Sequence, residues 1–318
     1  SKGEVFLCYW ASWSHYRKGN GKFSVEEIDP SPCTHLIYAY AKLENGSIAP
    51  FDPHLDTQTH GIYRKFNALK RTKPSLKTLI SIGGWNEGSR SFSKMASKDQ
   101  ERRTFANSVV AFLDQHGFDG VDIDWRSPTE REGSPDDRTN FVLLLQVRIA
   151  CDFDDCSIIF LISRTKACFA TPGHRPATHR RVATPPLRTS GPEHLTLHRP
   201  RSSRGVRGEA SPKYESSVDT WISKGADVSK LVLGMQLYGR TFTLARSDDN
   251  GLMAPALGPG RLGPITKEGG SLGYNEICSL ISSPGWKMTR NPNVNAPFAV
   301  NGDQWIGYED AESLRAKV

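Results

Sequence analysis

No apolar stretch in the 318 residues comes close to the roughly 18 needed to cross a bilayer, so a spanning helix is not expected. Hydrophobic residues make up only 37% of the chain, low for a domain of this length. None of the six cysteines falls in a C-x-x-C pair, which removes the usual support for a zinc or thioredoxin-type site. No charged, apolar and small-residue leader stands at Ser1, so a signal peptide is expected to have been removed or never present. One acid alone, Glu193, lies among nine Arg and one Lys between positions 163 and 207, a net of +9. The remainder therefore carries −2 of the overall +7, and the basicity belongs to one segment. That segment also lacks aromatics apart from Phe169, so the interleaving of rings and cations expected of a nucleic-acid surface is missing, and no nucleic-acid partner is expected.

What is present begins with alternation. Apolar runs at residues 5–10, 34–40, 76–83 and 118–125 are separated by about 30–45 residues, the spacing of βα units around a parallel sheet. Between the third and fourth, Ser97 with Gln100 reads as a capping box opening a helix. Phe105, Val109, Phe112 and Leu113 fall on one face of that helix, and Gly117 is its stop. Cys8 and Cys33 each sit at the edge of a strand-like run, and neighbouring parallel strands can bring them into disulfide range. Asn45-Gly46-Ser47 is a glycosylation sequon or, equally, an Asn-Gly turn. A disulfide and a sequon point to an oxidising, secreted, extracellular setting.

The pattern fails over residues 147–210. An apolar run survives at 157–162, followed by some 45 residues rich in Arg, Pro, Thr and His with neither helical nor strand period. This is the composition of a disordered segment, and it also resembles translated non-coding sequence. His194 and His198 have i, i+4 spacing, but flanking Pro192 and Pro200 and the missing Glu argue against a metal site. From 211 order returns, with a helical face at Val218, Trp221 and Ile222 ending at Gly225 and a buried-strand candidate at 231–238. Residues 242–304 read as a small α+β insertion, and a helix is expected at 310–318.

The segment FDGVDIDWRSP at 118–128 is the most informative. As a strand it places Gly120, Asp122, Asp124 and Arg126 on one face and Val121, Ile123 and Trp125 on the other. Successive acids are then about 6.6 Å apart, and acids aimed into a barrel are costly unless hydrogen-bonded or used.

This segment resembles the Asp-x-x-Asp-x-Asp-x-Glu signature of the family 18 glycoside hydrolases, the chitinases, except at its last position. The motifs SIGGW at 81–85, YGRTF at 238–242, CYWASW at 8–13 and the run from Cys33 to Tyr40 are similar to other parts of that family. The resemblance covers roughly residues 1–146 and 211–318. It implies an α/β fold, a TIM (β/α)8 barrel, here incomplete, with a small α+β insertion domain. Residues 1–146 would be the first half of the barrel, 147–210 an anomalous segment, 211–241 and 305–318 later barrel elements, and 242–304 the insertion. It also implies Asp124 as the acid that orients the substrate's N-acetyl group, Asp122 as its hydrogen-bonding partner, and Asp119 as a structural support. The general acid falls at Arg126, a guanidinium that stays protonated at any accessible pH and cannot supply a proton.

The resemblance implies two further departures: the anomalous segment would replace the strand whose Tyr and Asp hold the acetamido group, and the family's final strand, with its sugar-stacking Trp, is expected to be missing. Tyr9, Trp13, Tyr40, Trp85, Tyr238 and Arg240 occupy positions similar to the family's cleft residues, while Trp10 and Trp125 are expected to face the helices. The expected function is therefore a chitinase-like protein that binds chitin or chito-oligosaccharides without normal hydrolysis. It is expected to act as a monomer, with no cofactor, metal or membrane partner. The alternatives are an active endochitinase and a non-functional splice or pseudogene product unable to close its barrel.

Overall fold

The computed structural model describes residues 5–147, 157–159, 231–292 and 295–317, with single positions at 219, 222, 223, 225 and 228. The chain forms two compact units, Ser1–Pro172 and Gly173–Val318. The anomalous segment at 147–210, its His194 and His198, and most of the helix expected near 218–225 lie outside the described residues, apart from Val147 and the short strand at 157–159.

The first unit is built on a parallel sheet. Strands β1 (Leu7–Ala11), β2 (His35–Glu44), β4 (Lys77–Gly83), β5 (Gly120–Asp124) and β6 (Ser157–Ile159) lie side by side in that order, each parallel to the next. Helices fill the connections, because parallel strands need a long crossover. The short β3 (Ser47–Pro50) is the exception, antiparallel to β2. The turn between them is Asn45-Gly46, with φ of 51° and 81°, two successive left-handed residues of the kind a two-residue hairpin requires. Among the described residues the parallel strands form an open run that does not close.

Helix α2 (Asp99–His116) buries Phe105, Val109, Phe112 and Leu113 and ends at Gly117 in the left-handed region. Its start differs from the sequence reading. Lys98 is the N-cap, with no side-chain cap bond. Ser97 belongs to the end of the preceding helix, α1 (Arg90–Ala96), where its hydroxyl donates to the Lys94 carbonyl at 2.7 Å. The junction is fixed instead by buried Arg102, which donates to the Ala96 carbonyl at 2.6 Å.

Trp10, Tyr38, Tyr63, Phe66, Phe112 and Phe118 form an aromatic cluster between sheet and helices. Buried Asp56 sits within it and accepts hydrogen bonds from the Tyr38 and Tyr63 hydroxyls. Burial raises the Asp56 pKa despite those donors. At one sheet edge a disulfide joins Cys8 to Cys33, with Cα atoms 5.8 Å apart.

The second unit holds an antiparallel sheet. Its order is β10 (Lys287–Asn291), β11 (Ala296–Asn301), β12 (Gln304–Gly307), β7 (Tyr238–Leu244) and β8 (Ala256–Pro259), with β9 (Ser271–Gly273) also on β7. A helix, Tyr274–Ile281, packs by Ile277 against Leu272, Ala299 and Ile306. Both β7 and β12 pair within this sheet, which therefore runs beyond 242–304 at both ends. The buried strand expected at 231–238 is not found. Residues 231–236 have no strand pairing, and Val232, Leu233, Met235 and Leu237 are exposed. An apolar run is buried only where neighbouring strands cover it, and none does so here among the described residues. The terminal helix is short, Ala311–Arg315, capped by the Asp310 carboxylate.

Candidate functional site

Strand β5 sorts its side chains by alternation. Val121, Ile123 and Trp125 enter the helix-facing core, where Trp125 stacks on Phe92 and its indole N–H donates to Ser89 Oγ at 3.1 Å. Asp122 and Asp124 project from the other face and are 0% and 2% exposed. Two carboxylates this deeply placed need partners.

Asp122 accepts a hydrogen bond of 2.5 Å from Ser81, its register partner on β4. The Tyr9 phenol lies close to Asp122 as well. Although 39% of Tyr9 is exposed, its phenol end reaches inward, and burial followed by the charges of Asp122 and Asp124 pushes its pKa well above the ordinary value. Asp124 accepts from the Tyr40 hydroxyl at 3.1 Å. It also receives Arg126, with Nε at 2.9 Å from Oδ1 and Nη2 at 2.8 Å from Oδ2. The guanidinium thus grips both carboxylate oxygens, the two-pronged arrangement that makes Arg–carboxylate pairs strong. Burial and the Asp124 charge raise the Tyr40 pKa, and Arg126 opposes them.

The Gly83-Gly84 pair lets these groups approach. Gly84 has φ of +87°, and its N–H donates to the Asp124 carbonyl at 3.0 Å. A Cβ there would lie 2.8 Å from the Tyr40 ring. Directly after it, Trp85 is carried out to 61% exposure. The guanidinium of Arg131 stands 4.1 Å from its ring centroid. Trp13, also exposed, stacks on Tyr40 at 6.0 Å and 15°.

Of the residues read from the sequence, Tyr40, Asp124 and Arg126 form one hydrogen-bonded cluster, with Asp122 and Tyr9 beside it, Trp13 stacked on Tyr40 and Trp85 following Gly84. Asp119 is not part of it. Its carboxylate accepts from Thr78 N at 2.7 Å and Lys70 Nζ at 3.0 Å, tying the start of β5 to that of β4. Tyr238 and Arg240 lie in the second unit on β7, with the Arg240 guanidinium 5.3 Å from the Tyr238 ring centroid. They line a cavity of about 220 Å³ together with Phe298, Trp305 and Tyr308. Ser81 and Arg131 escaped the sequence reading. Ser81 sits within the SIGGW motif, but its place opposite Asp122 is set by strand register, and Arg131 carried no local signal.

Among the described residues no group of three or more His, Cys, Asp or Glu could hold a metal ion, and no helix is long and apolar enough to cross a membrane. The face instead combines exposed aromatic rings with two buried carboxylates and a permanently charged guanidinium. Rings of this kind suit the apolar faces of a sugar, with the polar groups fixing its rim.

Comparison with known proteins identifies relatives of the whole chain. The chain is 36% identical over 330 residues to Chitotriosidase-1 of Mus musculus, covering 98% of this chain and 68% of that one. Its fold is similar to the crystal structure of the Ostrinia furnacalis Group IV chitinase, with a TM-score of 0.84, 29% identity, and coverage of 99% of this chain and 88% of that one. It is also similar to human YKL-39, a pseudo-chitinase with retained chitooligosaccharide binding properties, with a TM-score of 0.74, 30% identity and the same coverage of each chain. Residues 5–162 and 197–318 match the profile of the glycosyl hydrolases family 18. On these grounds, and on the β5 carboxylate strand and its aromatic surround, the chain belongs to the glycosyl hydrolases family 18.

Proposed function

We propose that this protein binds chitin-type oligosaccharides of N-acetylglucosamine on the aromatic face of its first unit and does not hydrolyse them. The observation that carries this reading is the Arg126–Asp124 pair. Arg126 stands where the family resemblance puts the general acid, and a guanidinium cannot release a proton to a leaving sugar. Loss of general acid catalysis alone costs roughly 10²–10⁴ in rate. The same guanidinium engages both oxygens of Asp124, the residue the resemblance assigns to orienting the N-acetyl group. One substitution thus removes the proton donor and occupies the second carboxylate.

Binding has separate support. Tyr9, Trp13, Tyr40 and Trp85 keep exposed or half-exposed ring surface, and the pseudo-chitinase YKL-39 retains chitooligosaccharide binding. Tyr238 and Arg240, which line a cavity within the second unit, are proposed as sugar-contacting residues there. The Cys8–Cys33 disulfide supports a secreted, extracellular setting.

Titration calorimetry with chitopentaose, paired with a reducing-sugar assay, tests the proposal. Saturable binding is expected with no reducing ends released. Trp85→Ala should weaken binding by about 2 kcal/mol, roughly 30-fold, as for a buried aromatic anchor. Release of reducing ends would make the protein an active endochitinase. Failure of the folded protein to bind would overturn the proposal.

A further inference from the structure

Arg131 lies outside every motif read from the sequence, yet its guanidinium carbon is 4.1 Å from the centroid of the Trp85 ring. Its Nη1 is buried and has no hydrogen-bond partner, so at that end the ring, and not an acceptor, is its described contact. Trp85 remains 61% exposed, so the cation covers one side and leaves the other open.

The backbone that delivers Arg131 is unusual. Ser127, Thr129, Arg131 and Glu132 have φ of 57°, 75°, 52° and 70°, a region that side chains with a Cβ rarely adopt. Such conformations persist only where the surroundings over-determine them, and here the anchors are identifiable. Fully buried Asp137 accepts from Ser93 Oγ at 2.7 Å, Ser134 N at 2.8 Å and Thr129 N at 3.2 Å. The Arg131 carbonyl accepts from Ser89 N at 3.2 Å, and Glu132 pairs with Arg90 at 2.6 Å. The loop is therefore pinned on both sides of Arg131, against the start of α1. Strain gathered in one short loop and clamped this way delivers a guanidinium over an indole ring.

We infer that Arg131 is a positioning residue for Trp85, fixing the indole plane so that its open face is presented to a pyranose ring. The inference rests on the sugar-binding reading above and adds a residue to it. Immobilising one long or aromatic side chain in advance removes an ordering cost at binding. Its loss therefore corresponds to roughly 2- to 12-fold in affinity.

The test uses the full chain labelled with 5-fluorotryptophan, the Trp85 resonance being assigned by its disappearance in Trp85→Phe. Without sugar, Arg131→Ala should move that resonance and narrow it, and Arg131→Lys, which keeps the cation without the plane, should fall between. With chitopentaose, Arg131→Ala should weaken binding about 2- to 12-fold in the native background and by much less in a Trp85→Ala background. An unchanged Trp85 resonance overturns the inference, whatever the binding does. So does an equal loss of affinity in the Trp85→Ala background, because Arg131 would then be acting on the sugar or the fold directly. If the native protein binds no sugar while the resonance still answers to Arg131→Ala, the sugar reading fails and the ring-fixing contact stands.

Discussion

Replacing Arg126 with glutamine measures how firmly the guanidinium holds Asp124. Asp124 is 2% exposed, and three of its contacts, at 2.8, 2.9 and 3.1 Å, come from Arg126. Removing one partner of a fully buried pair costs about 3–5 kcal/mol, because a charge is left stranded. Arg126 is itself 29% exposed, so water can enter behind the substitution and pull the cost towards that of surface pairs, about 0–1 kcal/mol. Tyr40 continues to donate to the carboxylate. Weighing these, Arg126→Gln should destabilise the protein by about 2 kcal/mol, a fall in Tm of roughly 4–8 °C. Chemical denaturation of native protein, Arg126→Gln, Asp124→Asn and the double variant closes a cycle whose coupling should be about 1.5–2 kcal/mol. A single-variant effect under about 0.5 kcal/mol, or additivity within that margin, would refute the claim that Arg126 occupies Asp124.

Two further outcomes follow from the same unit. Gly84→Ala puts a Cβ 2.8 Å from the Tyr40 ring at φ of +87°, a combination of overlap and strain worth about 2–4 kcal/mol. A thermal melt should show the loss, and a midpoint within 2 °C of the native protein, on the order of 0.5 kcal/mol, would contradict it. Asp56 provides a pH signature. Its folded pKa is raised by burial, so between the unfolded value of about 3.9 and that raised value the native state holds more protons than the unfolded one. Stability should therefore fall as pH rises through this window, and Asp56→Asn should remove that slope in denaturation series run from about pH 3.5 upward. An unchanged slope in the variant would show that Asp56 is not its source.

How far the sequence could be read varied with how local the physics was. The alternation of Asp122 and Asp124 against Val121, Ile123 and Trp125 was visible because a strand has period two, and β5 sorts them that way. Gly117 was recognisable as a stop for the same kind of reason, a backbone conformation that favours one residue type. Ser97 misled because a good cap sequence can serve either of two adjoining helices, and the long-range bond of Arg102 to Ala96 settles the junction. The apolar run at 231–238 misled because burial depends on neighbours, which a run of residues does not contain.

The parallel βα succession, the carboxylate face of β5 and the fixed charge at Arg126 are local properties of the chain. Each follows from residue type and a period of two or 3.6. What those charges meet depends on packing between distant parts of the chain. The grip of Arg126 on both oxygens of Asp124, the pairing of Ser81 with Asp122, and the stacking of Arg131 on Trp85 join residues separated by 2, 41 and 46 positions. Even the shortest of these depends on a rotamer chosen by the surrounding pocket. Such contacts arise when the backbone brings distant side chains together, and no local pattern encodes them.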